Sequence, residues 1–121
     1  MFLDIHGDEA LPYNFVAGSE GIPSYDKEMA ELENLFKQAL LTITPEFQDE
    51  VGYDKDEPGK ANLTVGSNWV AEQFKCLSYT IEMPFKDNNN HPDPLYGWSP
   101  ERSVLFGQDV LAATLAVSDR I

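Results

Sequence analysis

Two residues in this sequence combine chemically useful side chains with the rigid placement that chemistry needs: His6 and Glu82. His6 ends the mostly apolar run Phe2-Leu3-Asp4-Ile5-His6 and is followed by Gly7, Asp8 and Glu9. Glu82 sits inside Ser78-Tyr79-Thr80-Ile81-Glu82-Met83-Pro84-Phe85, a stretch rich in β-formers. An imidazole nitrogen is a good zinc ligand, and a hydrolytic zinc site needs about three protein ligands plus an open position for water. The metal acidifies that water, and a neighbouring carboxylate takes its proton. His6 suits the first task and Glu82 the second. Taken singly, His6 reads more simply as a structural histidine, and Glu82 as a strand carboxylate facing solvent. Burying a carboxylate among Tyr79, Ile81, Met83 and Phe85 without a partner is costly, however, which gives Glu82 a functional reading. His6-Gly7-Asp8-Glu9 also has the form His-x-x-Glu, which would need a further histidine. His91 is the other histidine, but it lies in an Asn- and Pro-rich loop and is a poor ligand candidate. Asp4 shares a strand face with His6 and has the position of a group that orients a ligand, although a structural role is the simpler reading. Asp8 and Glu9 read as a solvated turn rather than as lining for a pocket.

The elements that must position these residues are legible in outline. Residues 2–5 read as a strand. Residues 10–25 carry Pro12, Tyr13, Phe15, Gly18, Gly21, Pro23 and Tyr25, and read as a packed irregular loop with a short strand near Tyr13–Val16. Residues 26–44 read as a helix with Met29, Leu32, Phe36, Leu40 and Ile43 on its inner face, ended by Thr44-Pro45. Residues 46–66 form a long polar loop, of the kind that is functional or disordered. A short helix spans 67–75, capped by Ser67 or Asn68, with Trp69, Val70 and Phe74 inward. A strand follows at 77–83, limited by Pro84. After a loop, Ser99-Pro100-Glu101 opens a last helix running to about Val117, with Leu105, Leu111 and Leu115 as core contacts.

Composition excludes several function classes. At 121 residues the chain is one domain or a piece of one. Twenty-one acids against eight Lys and Arg give a net charge of −13, which repels phosphate backbones and argues against nucleic acid as a partner. No segment is long and apolar enough to suit a membrane. The start lacks the pattern of a signal peptide, so either the location is cytoplasmic, as expected here, or the start of the protein is missing. Cys76 is the single cysteine and reads as a small buried hydrophobe.

Three segments carry a resemblance: Asp4-Ile5-His6-Gly7-Asp8-Glu9-Ala10-Leu11-Pro12-Tyr13-Asn14-Phe15, then Gly18 to Tyr25, then Tyr79-Thr80-Ile81-Glu82-Met83-Pro84-Phe85-Lys86. Together they resemble the C-terminal half of a zinc carboxypeptidase, nearest the bacterial relatives of the cytosolic carboxypeptidases. In that family a His-x-x-Glu pair and a distant histidine bind zinc, and a glutamate on a later strand is general base and acid. His6 matches the distant ligand and Glu82 the catalytic glutamate, in order and at a similar interval.

The resemblance implies an α/β, three-layer fold with a mixed sheet flanked by helices. Residues 1–121 would form the C-terminal part of the domain, with two or three strands and three helices. It implies one zinc ion in the complete enzyme, a peptide or protein C-terminus as substrate, and hydrolysis of C-terminal peptide bonds. The family's early ligand pair, its arginines and the first half of its sheet have no counterpart here and are expected upstream of Met1. Its substrate-capping tyrosine has no match; Tyr53 is displaced and is not assigned. The chain alone is expected to bind zinc weakly and to be inactive, and to self-associate through an incomplete sheet. The alternative is a non-catalytic acidic α/β binding module, or a decayed relative without tight zinc. On the carboxypeptidase reading His6 and Glu82 meet at one end of a sheet.

Overall fold

Seven consecutive residues at the start, Phe2–Asp8, form strand β1, longer than the apolar run alone predicts. The computed structural model describes Met1 to Ile121 throughout. After β1 come β2 (Phe15–Ala17), α1 (Lys27–Ile43), α2 (Gly66–Phe74), β3 (Ser78–Pro84) and α3 (Pro100–Ala116). The sheet order is β1-β3-β2, with β3 parallel to β1 and antiparallel to β2. The sheet is therefore mixed, as expected. A parallel pair cannot be joined by a tight turn, and β2, α1 and α2 all lie in the connection between β1 and β3.

The register decides which side chains share a face. Leu3, Ile5 and Gly7 pair with Tyr79, Ile81 and Met83, while Asp4 and His6 pair with Thr80 and Glu82. The first set faces α1 and α3. There Phe36 and Leu40 of α1 meet Tyr79 and Ile81 of β3 and Phe106, Val110 and Ala113 of α3 in the main core. Each large apolar side chain buried there stabilises the fold by about 1.5–3 kcal/mol. The second face is polar and is covered by α2, where the Ser67 and Thr80 hydroxyls meet at 3.0 Å and Ser78 donates to the Ser67 carbonyl. Helices thus cover both faces of the sheet, in three layers.

Helix α1 starts where Asp26 accepts from the Met29 amide, and it stops at Thr44, extended ahead of Pro45. Ser99 caps α3 by accepting from Arg102, with Pro100 in the first turn. The loop after β2 is pinned to α1 by Glu33, a buried carboxylate that accepts from the Ser19 amide, the Ser19 hydroxyl and Tyr25.

Four sequence expectations change. Helix α2 has no side-chain cap; Ser67 and Asn68 are buried inside it, and Trp69 and Phe74 are exposed. The face it turns to the sheet meets hydroxyls, so the small polar residues go inward. On α3, Leu105, Leu111 and Leu115 are exposed, and Phe106, Val110, Ala113 and Val117 form the buried side. That helix is apolar on more than one side, so spacing alone could not select the inner one. Ile43 lies at the exposed end of α1, and Cys76 is only partly buried.

Candidate active site

Register places the two candidate residues side by side: His6 of β1 is the lateral partner of Glu82 in β3. His6 Nδ1 lies 3.7 Å from Glu82 Oε1, and His6 Nε2 lies 3.1 Å from Asp4 Oδ1. Asp4 therefore holds one ring nitrogen and leaves the other turned to the glutamate. This is the arrangement of a ligand oriented by a carboxylate behind it. His6 is half-exposed, whereas Glu82 is only 4% exposed. Glu82 Oε2 is buried and has no hydrogen-bond partner.

Two neighbours complete the cluster, and the sequence assigned neither. Asp8 is buried, against its reading as a solvated turn, while Glu9 is exposed as expected. Asp8 Oδ1 accepts from the amides of Ala10 and Leu11, which closes the turn after β1. Its Oδ2 accepts from the hydroxyl of Tyr53, which also lies 3.1 Å from Glu82 Oε1. Tyr53 is delivered by the long 46–66 loop. Gln48 shapes that loop by donating to the carbonyls of Asn14 and Val51 and accepting from the amides of Glu50 and Val51. The Tyr53 ring then stands edge-on to Phe15 at 4.9 Å. No local motif marks Tyr53. The available signal was the loop's length and polarity.

Electrostatics separates the two carboxylates. Burial raises the Glu82 pKa, and the nearby charges of Asp8 and Asp4 add to it, against the lowering effects of Tyr53 and His6. Asp8 is lowered, first by the Tyr53 hydrogen bond and then by the Leu11 amide. The Tyr53 phenol is raised by burial and by its bond to Asp8. A phenol has one proton to give. Tyr53 bonds Asp8 the more closely, and its longer contact to Glu82 Oε1 lowers the Glu82 pKa less than burial raises it. The site thus shifts the two carboxylates in opposite directions, Glu82 up and Asp8 down.

The cluster opens into a cleft of about 570 Å³, also lined by Lys37, Asp49, Lys55, Ser67 and Thr80. Lys37 is paired with Asp49 at 3.1 Å and Lys55 with Glu20 at 2.8 Å, so neither cleft cation is free. His91 is held elsewhere, 3.2 Å from Glu46, in a network around Arg102. For a metal, His6 offers one nitrogen beside the unpartnered Glu82 oxygen. No group of three His, Cys, Asp or Glu is placed to hold an ion. The chain therefore fits one ligand and the neighbouring base, not a complete site.

No family model matches the chain. It is 47% identical over 119 residues to an uncharacterized protein of Zymomonas mobilis, across 98% of this chain and 31% of that one. Among solved structures, a carboxypeptidase A candidate of Shewanella denitrificans is 62% identical with a TM-score of 0.97, covering 99% of this chain and 32% of its own. A metallo-carboxypeptidase of Pseudomonas aeruginosa, in complex with (2-guanidinoethylmercapto)succinic acid, is 46% identical with a TM-score of 0.96, over 98% and 32%. The chain spans about a third of the length of these relatives. The resemblance read from the sequence holds in fold and in sequence: over nearly its whole length this chain is carboxypeptidase-like, matching about one third of such a protein.

Proposed function

We propose that the chain carries one metal-binding histidine, His6, and the general base, Glu82, of a zinc-dependent carboxypeptidase that hydrolyses C-terminal peptide bonds. Residues 1–121 are part of that enzyme's domain. The observation that carries this reading is the pairing of His6 Nδ1 with a buried glutamate whose second oxygen has no partner. When bound, zinc supplies Lewis-acid polarisation and an acidified water. Glu82 takes a proton from the attacking water and passes it to the leaving amine; its raised pKa suits both steps. Asp4 fixes the His6 ring through Nε2. Tyr53 bridges Asp8 and Glu82 through its hydroxyl. The Pseudomonas relative's ligand is a succinic acid, which carries carboxylates like the end of a peptide. Lys37 and Lys55 are already paired, so a cation for the substrate carboxylate has to come from outside these residues.

For the chain alone the proposal is weak zinc binding and no peptidase activity, since His6 is one ligand of the set of about three that such a site needs. The second reading, for the isolated chain, is a non-catalytic acidic α/β module. Zinc titration of the 121-residue protein tests this: weak binding, reduced further by His6→Ala, is expected. Tight stoichiometric zinc abolished by His6→Ala would show instead that the chain holds a whole site, as would C-terminal trimming lost in Glu82→Gln.

A further inference from the structure

The polar face of the sheet continues inward from His6 and Glu82. Thr80 precedes Glu82 by two residues on β3, so their side chains share a face and lie about 7 Å apart along the strand. That is close to the reach of a glutamine-sized side chain from a bond held at Glu82. Ser67 and Asn68, in the first turn of α2, line the same cleft as Thr80. All three are buried, yet each keeps hydrogen-bonding capacity that the chain does not use. The Ser67 and Thr80 hydroxyls bond each other at 3.0 Å, and either can be the donor. One of their two protons fills that bond, so the other has no acceptor within the chain. Asn68 donates one amide proton to the Asn62 carbonyl at 3.2 Å, and its own carbonyl oxygen accepts from no protein group. Buried polar groups are ordinarily satisfied, so these are places for a ligand's polar atoms.

The charges around this floor decide what kind of ligand. Tyr79 turns its hydroxyl away to the Glu33 carbonyl. Both cleft cations are taken, Lys37 by Asp49 and Lys55 by Glu20. Glu50, Asp54 and Asp56 line the cleft from the exposed 46–66 loop without a Lys or Arg partner. A carboxylate side chain would therefore meet like charge and no free cation. Asp4, the register partner of Thr80, is engaged by His6, so an ammonium group would find no free carboxylate at the floor. An apolar side chain would leave the floor's polar atoms unpaired.

We infer that Ser67, Asn68 and Thr80 determine specificity: they receive the side chain of the substrate's C-terminal residue and select a carboxamide, as in glutamine. The carboxamide carbonyl accepts the free proton of the Ser67–Thr80 pair, and its amide group donates to the Asn68 carbonyl. Because either hydroxyl can donate, the pair adapts to the carboxamide without moving. The inference rests on the carboxypeptidase reading of the cleft, and carboxamide binding is measured separately from cleavage.

The first measurement uses the 121-residue chain. In NMR titrations, propionamide should shift the backbone amide signals of Ser67, Asn68 and Thr80 more strongly than propionate or propylammonium does. Thr80→Ser keeps the hydroxyl and should keep that response, whereas S67A/T80V should weaken it at least about tenfold. The second places the chain in the Pseudomonas metallo-carboxypeptidase in place of the matching third and compares peptides that differ in the last residue. The kcat/KM for C-terminal glutamine should exceed that for glutamate, lysine and leucine by about tenfold or more, and the glutamine-to-leucine ratio should fall at least about tenfold in S67A/T80V. A purely structural role for the hydroxyl pair would not move that ratio. Propionate or propylammonium acting on these residues as strongly as propionamide, or propionamide shifts confined to other residues, overturns the inference. So does a chimera that prefers glutamate, lysine or leucine. A chimera that trims no peptide while propionamide still maps to Ser67, Asn68 and Thr80 leaves the pocket standing and rejects the peptidase reading.

Discussion

At the residue scale the site is a contest among three acidic groups within reach of one histidine. The Tyr53 hydroxyl bonds both Asp8 and Glu82, and burial outweighs that bond at Glu82, which keeps the raised pKa that a proton shuttle needs. Removing the hydroxyl should disturb both carboxylates in the same direction. In Tyr53→Phe, Asp8 loses the largest of its stabilising bonds and its pKa moves up, held back by the Ala10 and Leu11 amides. Glu82 loses a lowering partner as well and moves further up. Carboxyl-carbon NMR titration of the chain reads both shifts; unchanged titrations would remove Tyr53 from the cluster. His6 and Glu82 were legible in the sequence because strands deliver them and a strand fixes direction by alternation. Asp8 and Tyr53 were not, because their meeting depends on how Gln48 folds a loop 45 positions away from Asp8.

At the scale of elements, Arg102 fastens the segments that leave the C-terminal ends of α1 and β3. It donates to both oxygens of Glu46, to Asp87, and to the carbonyls of Gly97 and His91, and it stacks over Trp98 at 4.8 Å. This ties the start of α3 to the 86–98 loop and to the turn after α1. Burial alone would raise Glu46, but Arg102 and Asn88 outweigh it and hold its pKa below the usual 4.5. Burial opposes the same change at Asp87, where the Asp93 and Asn88 amides and then Arg102 bring it below 3.8. Both folded values lie below the unfolded ones. The resulting stabilisation is complete above the unfolded values and is lost as pH falls through the folded ones. Arg102→Met should cost about 3 kcal/mol near neutral pH, because it leaves Glu46 largely buried without the guanidinium, held only by Asn88 and His91. Urea unfolding between pH 6 and pH 3 (about the ordinary carboxylate range) should show a smaller acid loss in the variant than in the parent. An equal loss in both would separate Glu46 and Asp87 from Arg102.

A second element-scale prediction concerns Tyr79, whose hydroxyl donates to the Glu33 carbonyl at 2.9 Å inside the core. Tyr79→Phe should lower stability by about 1 kcal/mol, read by the same urea unfolding. No change would mean that the bond is not made in solution. The elements themselves were largely legible, since α1, β3 and the start of α3 follow from periodicity, capping and proline. Their inner faces were less so. On α3 the leucines look like core by spacing, yet Phe106, Val110 and Ala113 win because α1 and β3 present Phe36 and Tyr79 to that side.

At the scale of the whole molecule, the chain is an acidic three-layer unit with an open edge; of the two candidate residues, His6 sits on that edge strand and Glu82 on the central strand beside it. With a net charge of −13, self-repulsion opposes the folded state and is screened by salt. The melting temperature should therefore rise between low salt and about 0.15 M NaCl. A fall would show that the ion pairs at Lys37, Lys55 and Arg102 outweigh the excess acids. No helix is long and apolar enough to cross a membrane. The mixed sheet and its layers were legible through the resemblance carried by the segments around His6 and Glu82, since the order of strands and helices does not alternate. The size of the uncovered surface was not, because exposure depends on what is packed and not on what is apolar.

The central claim is that His6 binds zinc and Glu82 moves the proton. It is tested most directly by placing this chain in the Pseudomonas metallo-carboxypeptidase in place of the matching third, and assaying zinc content and C-terminal trimming together. The account predicts an active zinc protein. Glu82→Gln should keep the metal and lose about 10²- to 10⁴-fold in kcat, and His6→Ala should lose the metal. A Glu82→Gln chimera that still trims peptides at the parent rate, or a His6→Ala chimera that keeps its zinc, would contradict it.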